Sequence, residues 1–180
     1  MDIKQILLER LRGLTEAAKT VSDLPESAGL YLPESNFLIL YDKQSNHLYG
    51  MINIFKSKKY YYVGAVAAEQ GYGPLMYELA MAYISPNALM ADRDSHTSAS
   101  AENIWKYMMG RNDVEKIPIP KGDEEYAKQY EGIPHLQTAF IYKNKGEFNA
   151  LRGKAKENPL NRKEMGILKD RADDYFYEKL

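Results

Sequence analysis

Gly71-Tyr72-Gly73 stands where the hydrophobic period of the chain changes. Residues 60–67 are a β-branched and aromatic run closing on small side chains, whereas Leu75, Leu79, Ala82 and Tyr83 recur at helical spacing. A strand that passes through glycines into a helix aims backbone N–H groups, and the positive end of the helix dipole, at one point in space. Such a point suits phosphate. The same residues also read as a tight strand-to-helix turn in which glycine merely supplies a positive φ. Other chemistries find less support. Cysteine is absent, which excludes disulfides, thiolate zinc sites and a cysteine nucleophile. His47, His96 and His135 are far apart with no short ligand spacing, so no metal site is expected.

The elements that position this turn follow from pattern and punctuation. Residues 2–21 place Ile3, Ile6, Leu7, Leu11, Leu14, Ala18 and Val21 on one stripe, an amphipathic helix. Leu30-Tyr31-Leu32 could form a short strand between Pro25 and Pro33. Residues 36–41, 47–55 and 60–67 read as three strands joined by polar turns, hence antiparallel. The helix after the glycine turn ends near Ser85-Pro86-Asn87. Residues 88–91 form a short buried strand, parallel to the 60–67 strand because a helix connects them. Residues 92–97 are a polar loop, and Ser98 or Ser100 caps a helix carrying Ala101, Ile104, Trp105 and Met108 on one face. Strands over 114–119 and 136–142 complete the pattern, with a charged excursion over 121–132 between them.

At 180 residues the chain fits one domain, residues 1–142, with a charged helical extension over 143–180. Lysine and arginine (24) balance aspartate and glutamate (25), so no whole-molecule field draws nucleic acid or an anionic membrane. A basic site must be local. The cations from Lys143 to Lys163 could serve as a nucleic-acid arm, against which Gly146, Gly153, Pro159 and Gly166 punctuate the segment and it closes on acidic and aromatic residues. No stretch approaches a membrane span, and the charged first residues are neither signal peptide nor anchor, so a cytoplasmic protein is expected. The 15 tyrosines suit half-buried strands and interfaces.

The order of helix, three antiparallel strands, glycine turn, helix, short strand, helix and two strands resembles the GNAT superfamily of acyl-CoA-dependent N-acyltransferases, over about residues 36–142. Gly71-Tyr72-Gly73-Pro74-Leu75, Ala91-Asp92-Arg93, Ser98, Trp105 and Tyr107 are similar to GNAT-like proteins encoded in tailed-phage genomes. The resemblance implies an α/β (α+β) fold with a mixed, mainly antiparallel central sheet flanked by helices. It further implies a bulge in the strand before the turn, at Gly64, and a next strand that splays away. Val63, Gly64, Ala65, Val66 and Ala67 would offer backbone to the acyl group and pantetheine of acetyl-CoA. Gly71, Tyr72 and Gly73 would face its pyrophosphate, with Arg93 and Ser98 beside it. The sequence departs from the family at Ala68, where a polar side chain is usual, and at Pro74, which removes an N–H. It departs again at Trp105, where a tyrosine acid is usual.

Acetyl transfer to an amine needs a base for the ammonium, donors for the oxyanion, and an acid or water for the thiolate. Asp92, Asp94 and His96 are candidate bases at the C-terminal end of a strand, where ligands gather in open α/β sheets. Tyr107 is the nearby phenol. Each also has a plainer reading: Asp92 and Asp94 as turn residues, Arg93 as their ion-pair partner, His96 as surface, Tyr107 as packing and Trp105 as core. Two functions stay open. One is acetyl transfer to a small-molecule or protein amine. The other is a non-catalytic GNAT-like phage protein that binds a protein partner, as a virion component or an inhibitor in the host cytoplasm.

Overall fold

The computed structural model describes Ile3 and residues 18–179, with side chains as far as Asp174. The helix expected over residues 2–21 lies outside them, apart from Ile3 and residues 18–21. Within that remainder Ala18 to Thr20 are not helical, and Val21–Asp23 form a single 3-10 turn closed by Asp23 on the Thr20 N–H at 2.8 Å.

Seven strands make one sheet: β1 (Ala28–Glu34), β2 (Phe37–Asp42), β3 (His47–Lys56), β4 (Tyr61–Ala68), β5 (Leu89–Met90), β6 (Glu115–Pro118) and β7 (Thr138–Ile141). Their order is β1-β2-β3-β4-β5-β7-β6, and only β4 and β5 run parallel. The helices are α1 (Gly73–Ile84), α2 (Ala99–Gly110), α3 (Gly146–Glu157) and α4 (Arg162–Lys179). The fold is therefore mixed α and β around a mostly antiparallel sheet. The strand at residues 30–32 is longer than its sequence signal, because Ala28–Glu34 pairs along β2 despite Pro33. Pro33 falls at the irregular step of that pairing between Tyr31 and Glu34, on a strand at the sheet edge among the described residues, where proline is tolerated.

Helix α1 lies on one face. Eight of its residues are buried, on every side of the helix, which marks a helix surrounded by protein. It covers β3 and β4, Trp105 of α2 packs edge-on against Tyr77 at 5.0 Å, and α3 flanks it, with Phe148 stacked on Tyr83 at 5.5 Å. Trp105 also stacks on Phe140 of β7 at 5.4 Å and is 1% exposed, so it is a core residue. On the opposite face Leu168 and Ala172 of α4 close over Ile39, Tyr41, Met51 and Ala67. The 143–180 segment thus forms two helices that cover both faces of the sheet. Beyond α4 a third cluster gathers Met90, Ile119, Ala139 and Ile141 with Tyr60 and Tyr62.

The triple tyrosine is divided by the pleat. Tyr61 packs on the α1 side, and Tyr60 and Tyr62 on the other. Val63 continues the α1 side, yet Val66 and Ala68 also lie there and Ala67 beneath α4. One extra residue has entered the strand. Asn53 pairs Ala65 and Ile54 pairs Val63, which leaves Gly64 as the bulge. Without it every later side chain of β4 would exchange faces.

Candidate functional site

The parallel rungs between β4 and β5 are Tyr61 to Leu89 and Tyr62 to Met90, after which β5 ends. Residues 63–68 therefore run on without a strand on that side among the described residues. The divergence begins at the Gly64 bulge. There the side-chain carbonyl of Asn53 accepts the Ala65 N–H at 2.6 Å, and the ring of Phe55 lies against the glycine, where no Cβ would fit.

At the far end of this opening the chain turns. Gly71 has φ 91°, a conformation suited to glycine, and Tyr72 donates its N–H to Glu69 O at 2.9 Å. Tyr72 turns its side chain inward, 7% exposed, against Tyr49 at 5.0 Å. Helix α1 then starts at Gly73-Pro74 with no side-chain cap. Lys19 donates its N–H to Gly71 O at 2.8 Å, bringing the segment before the 3-10 turn alongside.

Helix α2 forms a wall beside the turn. A Cβ on Gly73 would stand 3.0 Å from Ile104 Cδ1, and Arg111 pairs with Glu78, so α2 runs in the same sense as α1. At 1.5 Å per residue, residues 99–103 project about 7 Å beyond the glycine end of α1. Ser98 caps α2 by accepting the Ala101 N–H at 3.2 Å.

The loop between β5 and α2 is tightly tied. The Asp92 carboxylate accepts the Asp94 N–H at 2.8 Å and the Ser95 hydroxyl at 2.6 Å, an Asx-type turn. The Tyr130 hydroxyl lies 2.6 Å from Asp92 O and 2.8 Å from Ser95 O, and 2.7 Å from the Thr97 hydroxyl. It donates to one carbonyl at a time. Arg93 donates to Leu136 O at 2.8 Å and stands 5.5 Å from the Tyr130 ring centroid. Its Nε and second terminal nitrogen are buried with no hydrogen-bond partner, and burial lowers its pKa. Asp94 accepts the Tyr62 hydroxyl at 2.9 Å, joining the loop to the last paired residue of β4. Burial first, and this carboxylate second, raise the Tyr62 pKa.

The predicted residues are thus brought together only in part. Val63 to Ala67 lie on the part of β4 beyond its pairing with β5, the glycine turn follows it, and Ser98 caps the neighbouring helix α2. Asp92 is engaged within its own loop, and His96 is exposed on it. Tyr107 faces the other way, its ring 5.3 Å beneath the Arg111 guanidinium. Arg93 bonds a backbone carbonyl and has no carboxylate within ion-pairing distance among the described residues.

Two arrangements escaped the sequence reading. His47 Nε2 meets Glu69 at 2.5 Å, beside Tyr49 and next to the glycine turn. The β3–β4 register, which sets Gly50 against Ala68, would have placed them near each other. The basic turn 56–59 and the acidic excursion also join. Glu125, 5% exposed, accepts the Ser57 hydroxyl at 2.6 Å and the Lys59 N–H at 3.1 Å, while Lys58 and Lys59 pair with Glu124 and Asp123. Their opposite charges were the only signal.

No group of acidic or histidine side chains among the described residues is arranged to hold a metal, and no described helix is long and apolar enough to cross a membrane. Comparison with protein-family models, curated proteins and solved structures gives no match.

Proposed function

We propose that the opening beside β4 receives the pantetheine arm of acetyl-CoA, with the pyrophosphate at the Gly71–Gly73 turn, and that the chain transfers the acetyl group to an amine. The observation that carries this reading is the brevity of the β4–β5 pairing. Two rungs, then a bulge at Gly64, leave backbone polar groups beside a gap that ends at a helix N-terminus. An extended amide-bearing arm can hydrogen-bond to such an edge, as an added strand would.

In this reaction the amine nitrogen attacks the thioester carbonyl, the C–N bond forms and the C–S bond breaks. A base takes the ammonium proton, and a proton donor meets the thiolate. Asp94 is the carboxylate of the loop that faces β4, through Tyr62. The proton for the thiolate comes from water, since Trp105 is core and Tyr107 lies under Arg111.

A second reading is favoured by the tied loop. With Asp92 engaged within the loop and no phenol at the Trp105 position, the same scaffold suits binding without turnover. Isothermal titration with acetyl-CoA and CoA separates these. Micromolar binding, lost in a Gly73→Trp variant of unchanged melting temperature, supports the cofactor site; thiol release on adding amines then supports transfer. Absence of binding at millimolar ligand sinks the acetyl-CoA reading.

A further inference from the structure

At the end of the sheet remote from the glycine turn lies a second cavity, of about 490 Å³. It is open to solvent and lined by the β1–β2 turn (Asn36), the end of β3 (Ile54, Lys56), the start of β4 (Tyr61) and the end of α1 (Tyr83, Ile84). Tyr61 and Ala68 bound β4, so the cavity stands roughly 23 Å from the glycine-turn end of that strand at about 3.3 Å per residue. The volume falls in the range of small-molecule sites, which join apolar walls to a few polar groups.

We propose that this cavity binds a small organic monoanion with a flat apolar body, such as an aromatic carboxylate. The apolar body is matched by Ile54, Ile84 and the rings of Tyr61 and Tyr83, and Tyr83 is held in place by its hydroxyl bond to Ser35 O at 2.6 Å. The sign of the charge follows from the lining. Among the described residues Lys56 is the cation at the cavity, and no acidic residue lines it. Its neighbours in the β3–β4 turn are already neutralised, Lys58 by Glu124 and Lys59 by Asp123, whereas no carboxylate of the described residues pairs with Lys56. An ammonium beside aromatic walls, with amide and hydroxyl groups from Asn36 and Ser85, offers a carboxylate both charge and hydrogen bonds. A ligand ammonium would meet the like charge of Lys56. The site is independent of the acetyl-CoA reading, because it shares no residue with the opening.

The test is titration of the isotopically labelled full chain with benzoate, benzamide and benzylamine, followed by amide NMR. The expected result is saturable shifts at residues 54–56, 61, 83–85 and 87 with benzoate. Binding should be at least tenfold weaker with benzamide and absent with benzylamine. Lys56→Met and Lys56→Glu, checked for unchanged melting temperature, should weaken benzoate binding by tenfold or more. No saturable shift at 10 mM benzoate would overturn the proposal, in keeping with the scale of weak fragment binding. So would shifts confined to other residues, or equal affinity in Lys56→Glu.

Discussion

The side-chain carbonyl of Asn53 accepts the Ala65 N–H at 2.6 Å, at the rung where β3 meets the Gly64 bulge. A bulge removes one ladder bond, and a half-buried N–H then needs another acceptor. Asn53 supplies it from within the partner strand. Asn53→Ala should cost about 1–3 kcal/mol, the range for an N–H left unsatisfied. Asn53→Asp keeps an acceptor and should lose less. Urea unfolding checks both, with a shifted midpoint and an unchanged slope as the expected signature.

Gly64 and Phe55 form a matched pair. A Cβ at residue 64 would overlap the Phe55 ring and lie 2.8 Å from Asn53 Oδ1, so Gly64→Ala must displace both. Phe55 is 39% exposed and can yield. Gly64→Ala should destabilise by about 1–3 kcal/mol as an overpacked site, and less in a Phe55→Ala background, where only the contact with Asn53 remains. A double-mutant cycle measures the difference, and additivity would contradict the contact.

Most strands were legible because each is a short apolar or aromatic run between polar turns, and the change of period at Gly71 marked α1 clearly. The Gly64 bulge was expected only through the family resemblance. Its physical sign, the exchange of faces between Val63 and Val66, involves residues that are all small or apolar. Helices α3 and α4 read as a charged extension because each buries a narrow stripe, Leu151 in one and Leu168 with Ala172 in the other. The site residues were less legible still. Asp92 looks like a base in sequence, and only the positions of Ser95 and the Asp94 N–H reveal that its oxygens are engaged. Trp105 and Tyr107 differ in role because 200° of helix separates them, one toward β7 and the other toward Arg111.

Asp42 should govern part of the acid sensitivity. It is 7% exposed, and burial alone pushes its carboxyl up; hydrogen bonds from Ser27, Ser45 and the Gln44 and Ser45 backbone outweigh this and hold it below 3.8. A depressed pKa contributes stability above the unfolded value that is lost as pH falls through the folded one. Asp42→Asn should therefore be less stable than the parent at pH 7, with the gap closing below pH ~3.8, as urea midpoints measured across that range will read.

Arg111 holds the opposite case. Its guanidinium pairs with Glu78 of α1, bonds Asp113 at 2.6 and 2.8 Å, and lies over the rings of Tyr107 and Tyr142. The side chains of Arg111 and Glu78 are only 13% and 15% exposed. Burial raises the Glu78 pKa above 4.5, Arg111 counters this, and the nearby charges of Glu147 and Asp113 add to the rise. Arg111→Met leaves Glu78 without its counter-ion and should cost about 3–5 kcal/mol at pH 7. A raised carboxyl pKa gives stability that is complete below the unfolded value and lost as pH rises through the folded one. The variant should accordingly recover as pH falls from 7 toward 4.5, where Glu78 takes up a proton. In the parent the hydrogen bonds from Arg111 hold the Asp113 carboxyl below 3.8, outside that window. In Arg111→Met/Glu78→Met no buried uncompensated charge of the pair remains, and Asp113, 56% exposed, keeps its solvation, so stability at pH 7 should return in large part and the recovery on acidification should vanish. Urea midpoints of the three proteins at pH 7 and 4.5 decide it, and a double variant as weak as the single one would show that the pair holds α1 against α2 by more than its charge.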